Sequence, residues 1–119
     1  MPGPQGFPRE ERLTRRSEYL HVYEHGRKRV GKAFICYTAR QAGPKRKVGF
    51  SVSRKVGTAV VRNRIKRYLR EIYRTHRAQV AEGTHIVVVA RPPSAKLGYH
   101  ECERAMRELL CRAGDTTRG

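Results

Sequence analysis

Apolar positions along the chain recur with two periods. Val61, Ile65, Tyr68, Leu69 and Ile72 follow helical spacing and gather on one side when laid out at about 100° per residue. They predict a helix from Thr58, a suitable N-cap behind Gly57, to about Arg77. Tyr19, Leu20, Val22 and Tyr23 predict an earlier helix ending near His25, with Thr14 or Ser17 as its cap and Gly26 in the C′ position. Cys102, Ala105, Met106, Leu109 and Leu110 predict a last helix over Tyr99 to Ala113, with Gly98 as N-cap and Gly114 as its end.

Between the helices the period drops to two. Val30 to Arg40 alternates, with a break suggested at Gly31. Ala33, Ile35, Tyr37 and Ala39 point one way; Phe34, Cys36 and Thr38 point the other. Lys47 to Ser53 alternates again, Val48, Phe50 and Val52 against Gly49, Ser51 and Ser53. The short link QAGPK, residues 41–45, predicts that these two runs pair antiparallel. HIVVVAR, residues 85–91, is continuously apolar, the mark of a central or parallel strand buried on both faces, and Pro92 and Pro93 stop it. The pattern describes one domain over residues 12–114, between a Pro- and Gly-rich flexible arm (1–11) and a short flexible tail (115–119).

Charge changes this picture more than composition does. The net charge is +17, and residues 25–70 hold fifteen of the 27 Lys/Arg with no carboxylate among them. Arg62, Asn63, Lys66, Arg67, Arg70, Arg74 and Arg77 lie opposite the apolar stripe of the basic helix, whose one acid is Glu71. Cations stacked at i, i+4 repel one another, and ordinary solvated helices dilute them with Glu. The arrangement calls for a polyanion: nucleic acid first, an anionic membrane second. Backbone N–H groups expected to be free near Arg54 and Lys55 offer a place for a phosphate. Tyr19 and Tyr23, four apart, either fill the core or serve a wetter purpose, since tyrosine suits a dry seam poorly.

Candidate chemistry is sparse. The single Asp, Asp115, lies in the tail; of the five histidines only His21 and His25 sit four apart, at a helix end beside Tyr23, where a surface role accounts for them. No phosphate loop, nucleophile elbow or zinc pattern occurs. Three cysteines without CxxC spacing fit reduced thiols in the cytosol. Buried helix-face thiols outweigh a metal site made of Cys102, Cys111 and His100. The N-terminus lacks the apolar core of a secretory signal. Any catalysis would draw its reacting groups from another molecule.

The stretch VGFSVSRKVGTAVVRNRIKRYLRE closely resembles the signature of the bacterial ribonuclease P protein subunit. RLTRRSEYLHVYEHG, FICYTAR and HIVVVARPPSAKLGYHE match the family in order, so the likeness covers about residues 12–112. It implies an α+β fold, a two-layer αβββαβα sandwich similar to a domain of several ribosomal proteins. The crossover from the Val48 strand to the His85 strand would be left-handed, against the general rule. It further implies a ribonucleoprotein endoribonuclease whose RNA subunit removes the 5′ leader from precursor tRNA. Mg²⁺ would be held by that RNA, with no cofactor on the protein.

By the same resemblance, Arg62, Asn63, Arg64, Lys66, Arg67 and Arg70 contact the RNA subunit, with Arg62 and Lys66 bordering the leader path. The single-stranded leader would lie against Tyr19, Tyr23, Ile35 and Tyr37. Tyrosine stands at two helix positions where the family often has phenylalanine; it keeps the stacking face and adds a hydroxyl. One protein per RNA subunit, a cytoplasmic setting and no membrane contact complete the expectation. The competing reading is a ribosomal-type or chaperone-like RNA binder of the same fold.

Overall fold

The computed structural model describes residues 9–41 and 43–118, with side chains over 10–41 and 43–110. Residues 1–8 of the expected arm, Ala42 of the turn and the Cys111 side chain lie outside the described residues. Three helices, α1 (Arg16–His25), α2 (Ala59–His76) and α3 (Tyr99–Arg118), accompany four strands. These are β1 (Arg27–Val30), β2 (Phe34–Arg40), β3 (Lys47–Ser51) and β4 (Thr84–Ala90), arranged in one mixed sheet of order β1-β2-β4-β3.

The expected antiparallel pairing of the two alternating runs is not made. β4 stands between β2 and β3, antiparallel to the first and parallel to the second. A strand apolar on both faces takes the centre, and the link from Gln41 to Arg46 is long enough to pass its end. Crossing one intervening strand takes only about 10 Å. Gln41 N–H donates to the Gly83 carbonyl (2.8 Å), and Gly83 N–H donates to the Pro44 carbonyl (3.3 Å). Gly83 has φ +81°, and a Cβ there would come within 2.7 Å of the Gly43 carbonyl oxygen, so the position requires glycine. The break at Gly31 is complete: Val30 ends β1, Gly31 N–H donates to the Phe34 carbonyl, and β1 and β2 form a hairpin.

The two faces of the sheet differ. Phe34 and Cys36 of β2, Val48 of β3, and Ile86 and Val88 of β4 form a dry core with α2 and α3. Ile65, Leu69, Ile72 and Tyr73 come from α2, and Cys102, Met106, Leu109 and Leu110 from α3. Tyr73 joins the stripe the sequence predicts, at the turn after Leu69. Burial pushes the Cys36 thiol up to about 12, as suits an inert core residue. On the other face α1 lays Val22 over Ala39 and Val87, with Leu13 beside them. This second cluster is small, and Tyr19, Tyr23, Tyr37 and Val89 at its margin are only half-buried.

Helix ends depart from the sequence in detail. Thr58 caps α2 as expected, its hydroxyl accepting from Val61 N–H. Neither Thr14 nor Ser17 caps α1; Arg15 stands at the N-cap. The Glu18 carboxylate reaches back to the Thr14 and Arg15 N–H groups (2.9 and 3.0 Å) and pairs with Lys47 (3.0 Å). Burial opposes ionisation of Glu18, but those donors and Lys47 outweigh it and hold the carboxyl down at about 2. Its contribution to stability is therefore present above about pH 4.5 and lost as pH falls toward 2.

Gly26 is extended rather than left-handed (φ −88°). It is needed because a Cβ would lie 2.4 Å from the Val22 carbonyl oxygen and 2.7 Å from that of Thr38. At the start of α3 the Glu101 carboxylate accepts from Gly98 N–H (2.9 Å). The helix then continues past Gly114, its expected end, to Arg118.

Candidate nucleic-acid interface

α2 presents its polar face by the arithmetic of its periodicity: with Ile65, Leu69 and Ile72 fully buried, positions 62, 63, 66, 67 and 70 turn outward. Asn63, Arg67 and Arg70 are exposed, and Arg62 and Lys66 half-exposed. Arg62 Nε donates to the Gly57 carbonyl (3.1 Å), which fixes its stem against the helix start. Arg64 points elsewhere and donates to the Ala95 carbonyl at 2.7 Å, bracing α2 against the Pro92–Lys96 turn.

Among the described residues no carboxylate lies within ion-pair distance of Arg62, Lys66, Arg67 or Arg70. Arg74 and Arg77, which periodicity places on the same face, are paired with Glu71 and Glu11. Arg54 and Lys55 are exposed in the turn before α2. The free N–H groups expected there are partly taken: Lys55 N–H donates to Ser53 Oγ (3.3 Å) and Val56 N–H to the Ser53 carbonyl (3.0 Å). The two side chains are what this turn offers an anion.

The tyrosines lie on the α1 side of the sheet. Tyr23 meets Tyr37 edge to face, ring centroids 4.8 Å apart, and hydrogen-bonds Ser51. Burial, against the Ser51 bond, raises the Tyr23 hydroxyl above its ordinary value, so the ring is neutral at physiological pH. Tyr19 packs against Gly49, where a Cβ would come within 2.4 Å of its hydroxyl oxygen and 2.5 Å of its ring. Ile35 shares the face with Tyr37, as alternation requires, and pairs with Val30 and Val89. Tyr19, Gly49 and Phe50 then meet Lys66 and Arg70 of α2 in a cleft of about 160 Å³, with Arg12 at its lip. The basic face and the aromatic face are contiguous there.

Arg12 and Lys28 are not legible from the sequence as members of this surface. Arg12 is brought in because residues 12–13 add to the open edge of β3, through an Arg12–Val48 bridge and Leu13 N–H on the Val48 carbonyl (3.0 Å). Lys28 Nζ stands 5.9 Å from the Tyr37 ring centroid. No periodic signal marks either residue; the pairing register does. Among the described residues no three His, Cys, Asp or Glu side chains converge as metal ligands, and no helix is long and apolar enough to cross a membrane.

A mixed four-stranded sheet with an uncompensated cationic helix on one side and a tyrosine-lined face on the other defines an RNA-binding α+β subunit. Comparison with known proteins narrows the class. The Ribonuclease P family profile matches residues 7–114. The Dictyoglomus thermophilum ribonuclease P protein component is 40% identical over 111 residues, covering 91% of this chain and 92% of that one. The Geobacillus kaustophilus component is 36% identical over 109 residues, covering 91% and 90%. Among solved structures, the Staphylococcus aureus RNase P protein superposes with a TM-score of 0.81 at 28% identity, over 87% of this chain and 94% of that one. The Thermotoga maritima protein gives 0.78 at 27% identity, over 86% and 96%. The chain belongs to the bacterial ribonuclease P protein family, the accessory protein subunits of a tRNA-processing endoribonuclease.

Proposed function

We propose that the two contiguous surfaces divide two RNAs between them. The outward face of α2 takes the catalytic RNA of ribonuclease P, through Arg62, Asn63, Lys66, Arg67 and Arg70, with Arg64 bracing the helix beneath it. The α1 side of the sheet takes the single-stranded 5′ leader of precursor tRNA, through Tyr23, Ile35 and Tyr37, with Tyr19 at the junction. Arg54 and Lys55 supply phosphate contacts where the two paths converge. Aromatic faces suit a single strand because every base can stack on them, whatever its identity. Uncompensated cations suit a folded RNA because each phosphate neutralised releases counterions.

The observation that supports this reading is the cleft where Tyr19 on Gly49 meets Lys66 and Arg70, because there the aromatic side chains adjoin the cationic ones. Mg²⁺ belongs to the RNA in this scheme. One protein serves one RNA subunit, in the cytoplasm.

The test is reconstitution with the matching catalytic RNA at low Mg²⁺. The protein raises cleavage of precursor tRNA, and Tyr37→Ala weakens binding of leader-bearing precursor by about 1–3 kcal/mol while mature tRNA binding changes little. Absence of stimulation, or equal losses for the two substrates, would overturn the division.

A further inference from the structure

Two rows of residues run straight across the sheet on the α1 side. In the first, Lys28, Tyr37, Val87 and Gly49 stand side by side on β1, β2, β4 and β3. In the second, Val30, Ile35, Val89 and Ser51 do the same. Directly paired residues share a face, so each row is a continuous strip across three interstrand spacings, about 14 Å. α1 closes the first row at Val87, which is fully buried. It leaves the second row open: Ser51, Val89 and Ile35 are half-buried, and Val30 is 56% exposed. Tyr23 stands at the boundary, touching Tyr37 of one row and Ser51 of the other.

Cations flank the open strip, which itself ends on Val30, two residues after Lys28 on β1. Beyond Ser51 the chain turns through Arg54 and Lys55 into α2. At the other end Lys28, exposed on the edge strand, holds its ammonium over Tyr37. No acid occurs from residue 25 to residue 70, and among the described residues no carboxylate pairs with Lys28. A cation poised over an aromatic ring can give up that place to a stacking base and keep its charge beside the adjoining phosphate.

We infer that β1 is a second phosphate-binding rim, and that the single strand crosses the sheet from the α2 side to Lys28. This rests on the reading of the α1 side as the leader site and adds its direction and far end. Leader nucleotides close to the tRNA lie beside α2, and those farther out pass over Ile35 and Val30 to reach Lys28.

The reconstituted holoenzyme tests this with precursor tRNAs whose leaders grow one nucleotide at a time, bound by wild type, Lys28→Ala, Lys28→Arg and Tyr37→Ala. Lys28→Ala matches wild type on the shortest leaders and weakens binding roughly fivefold once the leader reaches β1. Its salt dependence there is shallower by about 0.7 in slope, and Lys28→Arg restores both. If Lys28→Ala equals wild type at every length and salt concentration while Tyr37→Ala still weakens binding, the rim is overturned and the leader site stands. If Tyr37→Ala also has no effect, the leader reading itself fails. A lysine that only keeps an edge strand from pairing would instead give a self-associating Lys28→Ala protein with no leader-length dependence, and that result also overturns the rim.

Discussion

In the first three turns of α2, Arg62, Lys66, Arg67 and Arg70 meet no carboxylate among the described residues. In the last turns Arg74 is held by Glu71 at 2.5 Å, His76 by Glu103 at 2.8 Å, and Arg77 by Glu11. Both halves carry cations at the same i, i+4 spacing on one face, and the sequence reads them as one surface. Their surroundings divide them. Glu11 comes from the short turn before α1 and Glu103 from α3, so two of the three acidic partners arrive by tertiary packing. The N-terminal half keeps its repulsion, which costs a few tenths of a kcal/mol per neighbouring pair and is relieved only by an external anion. The C-terminal half uses its cations to hold the fold together.

The division can be broken most forcefully in the N-terminal half. Replacing Arg62, Lys66 and Arg70 together with Ala lowers the slope of log affinity against log salt by about 0.7–0.9 for each phosphate left unneutralised, about two in all. Replacing Arg74 and Arg77 lowers it by less than half as much. Equal flattening from the two sets, measured by titration of the RNA subunit across salt concentrations, would erase the distinction.

A smaller effect comes from the anchor that defines the C-terminal half. Glu11 accepts from the hydroxyl of buried Tyr73 (3.0 Å) and from Arg77 Nε (3.1 Å). Removing it in Glu11→Ala takes the carboxylate from both Tyr73 and Arg77 and costs about 2 kcal/mol of stability, read in urea unfolding, without lowering the salt slope. Unchanged stability would mean that the start of the chain is not pinned to α2.

The smallest effect sharpens the comparison from the other side. Glu71→Gln releases Arg74 and steepens the salt slope by at most about 0.9, while stability stays within about 0.5 kcal/mol because the pair is exposed. Arg74 holds the Glu71 carboxyl below its ordinary value. The pair is therefore intact at neutral pH, and it is lost as pH falls through that lowered value. A slope indistinguishable from wild type would show that Arg74 was never hidden from the RNA.

What can be read in the sequence follows the range of the interactions concerned. α2 is legible from Thr58 onward because cap, stripe and basic face are all set within one helix. The central place of β4 is legible because Ile86, Val87 and Val88 are apolar on both faces. The pairing of β2 with β3 is misread because loop length says that two strands are near, not that nothing lies between them. The roles of Arg64 and Arg77 are hidden because Ala95 is 31 residues away and Glu11 is 66. The family resemblance carries the leader site to Tyr19, Tyr23, Ile35 and Tyr37, but β1 with Lys28 is visible only through the register that sets it beside Tyr37.

The contact between Tyr19 and Gly49 has a consequence for how such chains diverge. Any side chain at position 49 evicts the ring from its seat, and a smaller residue at position 19 leaves a hollow over the bare backbone of β3. Neither position is free to change alone. Across a set of relatives they would covary as one character, an aromatic residue at the first permitting only glycine at the second. An alignment would then report a coupling between residues thirty apart whose origin is steric.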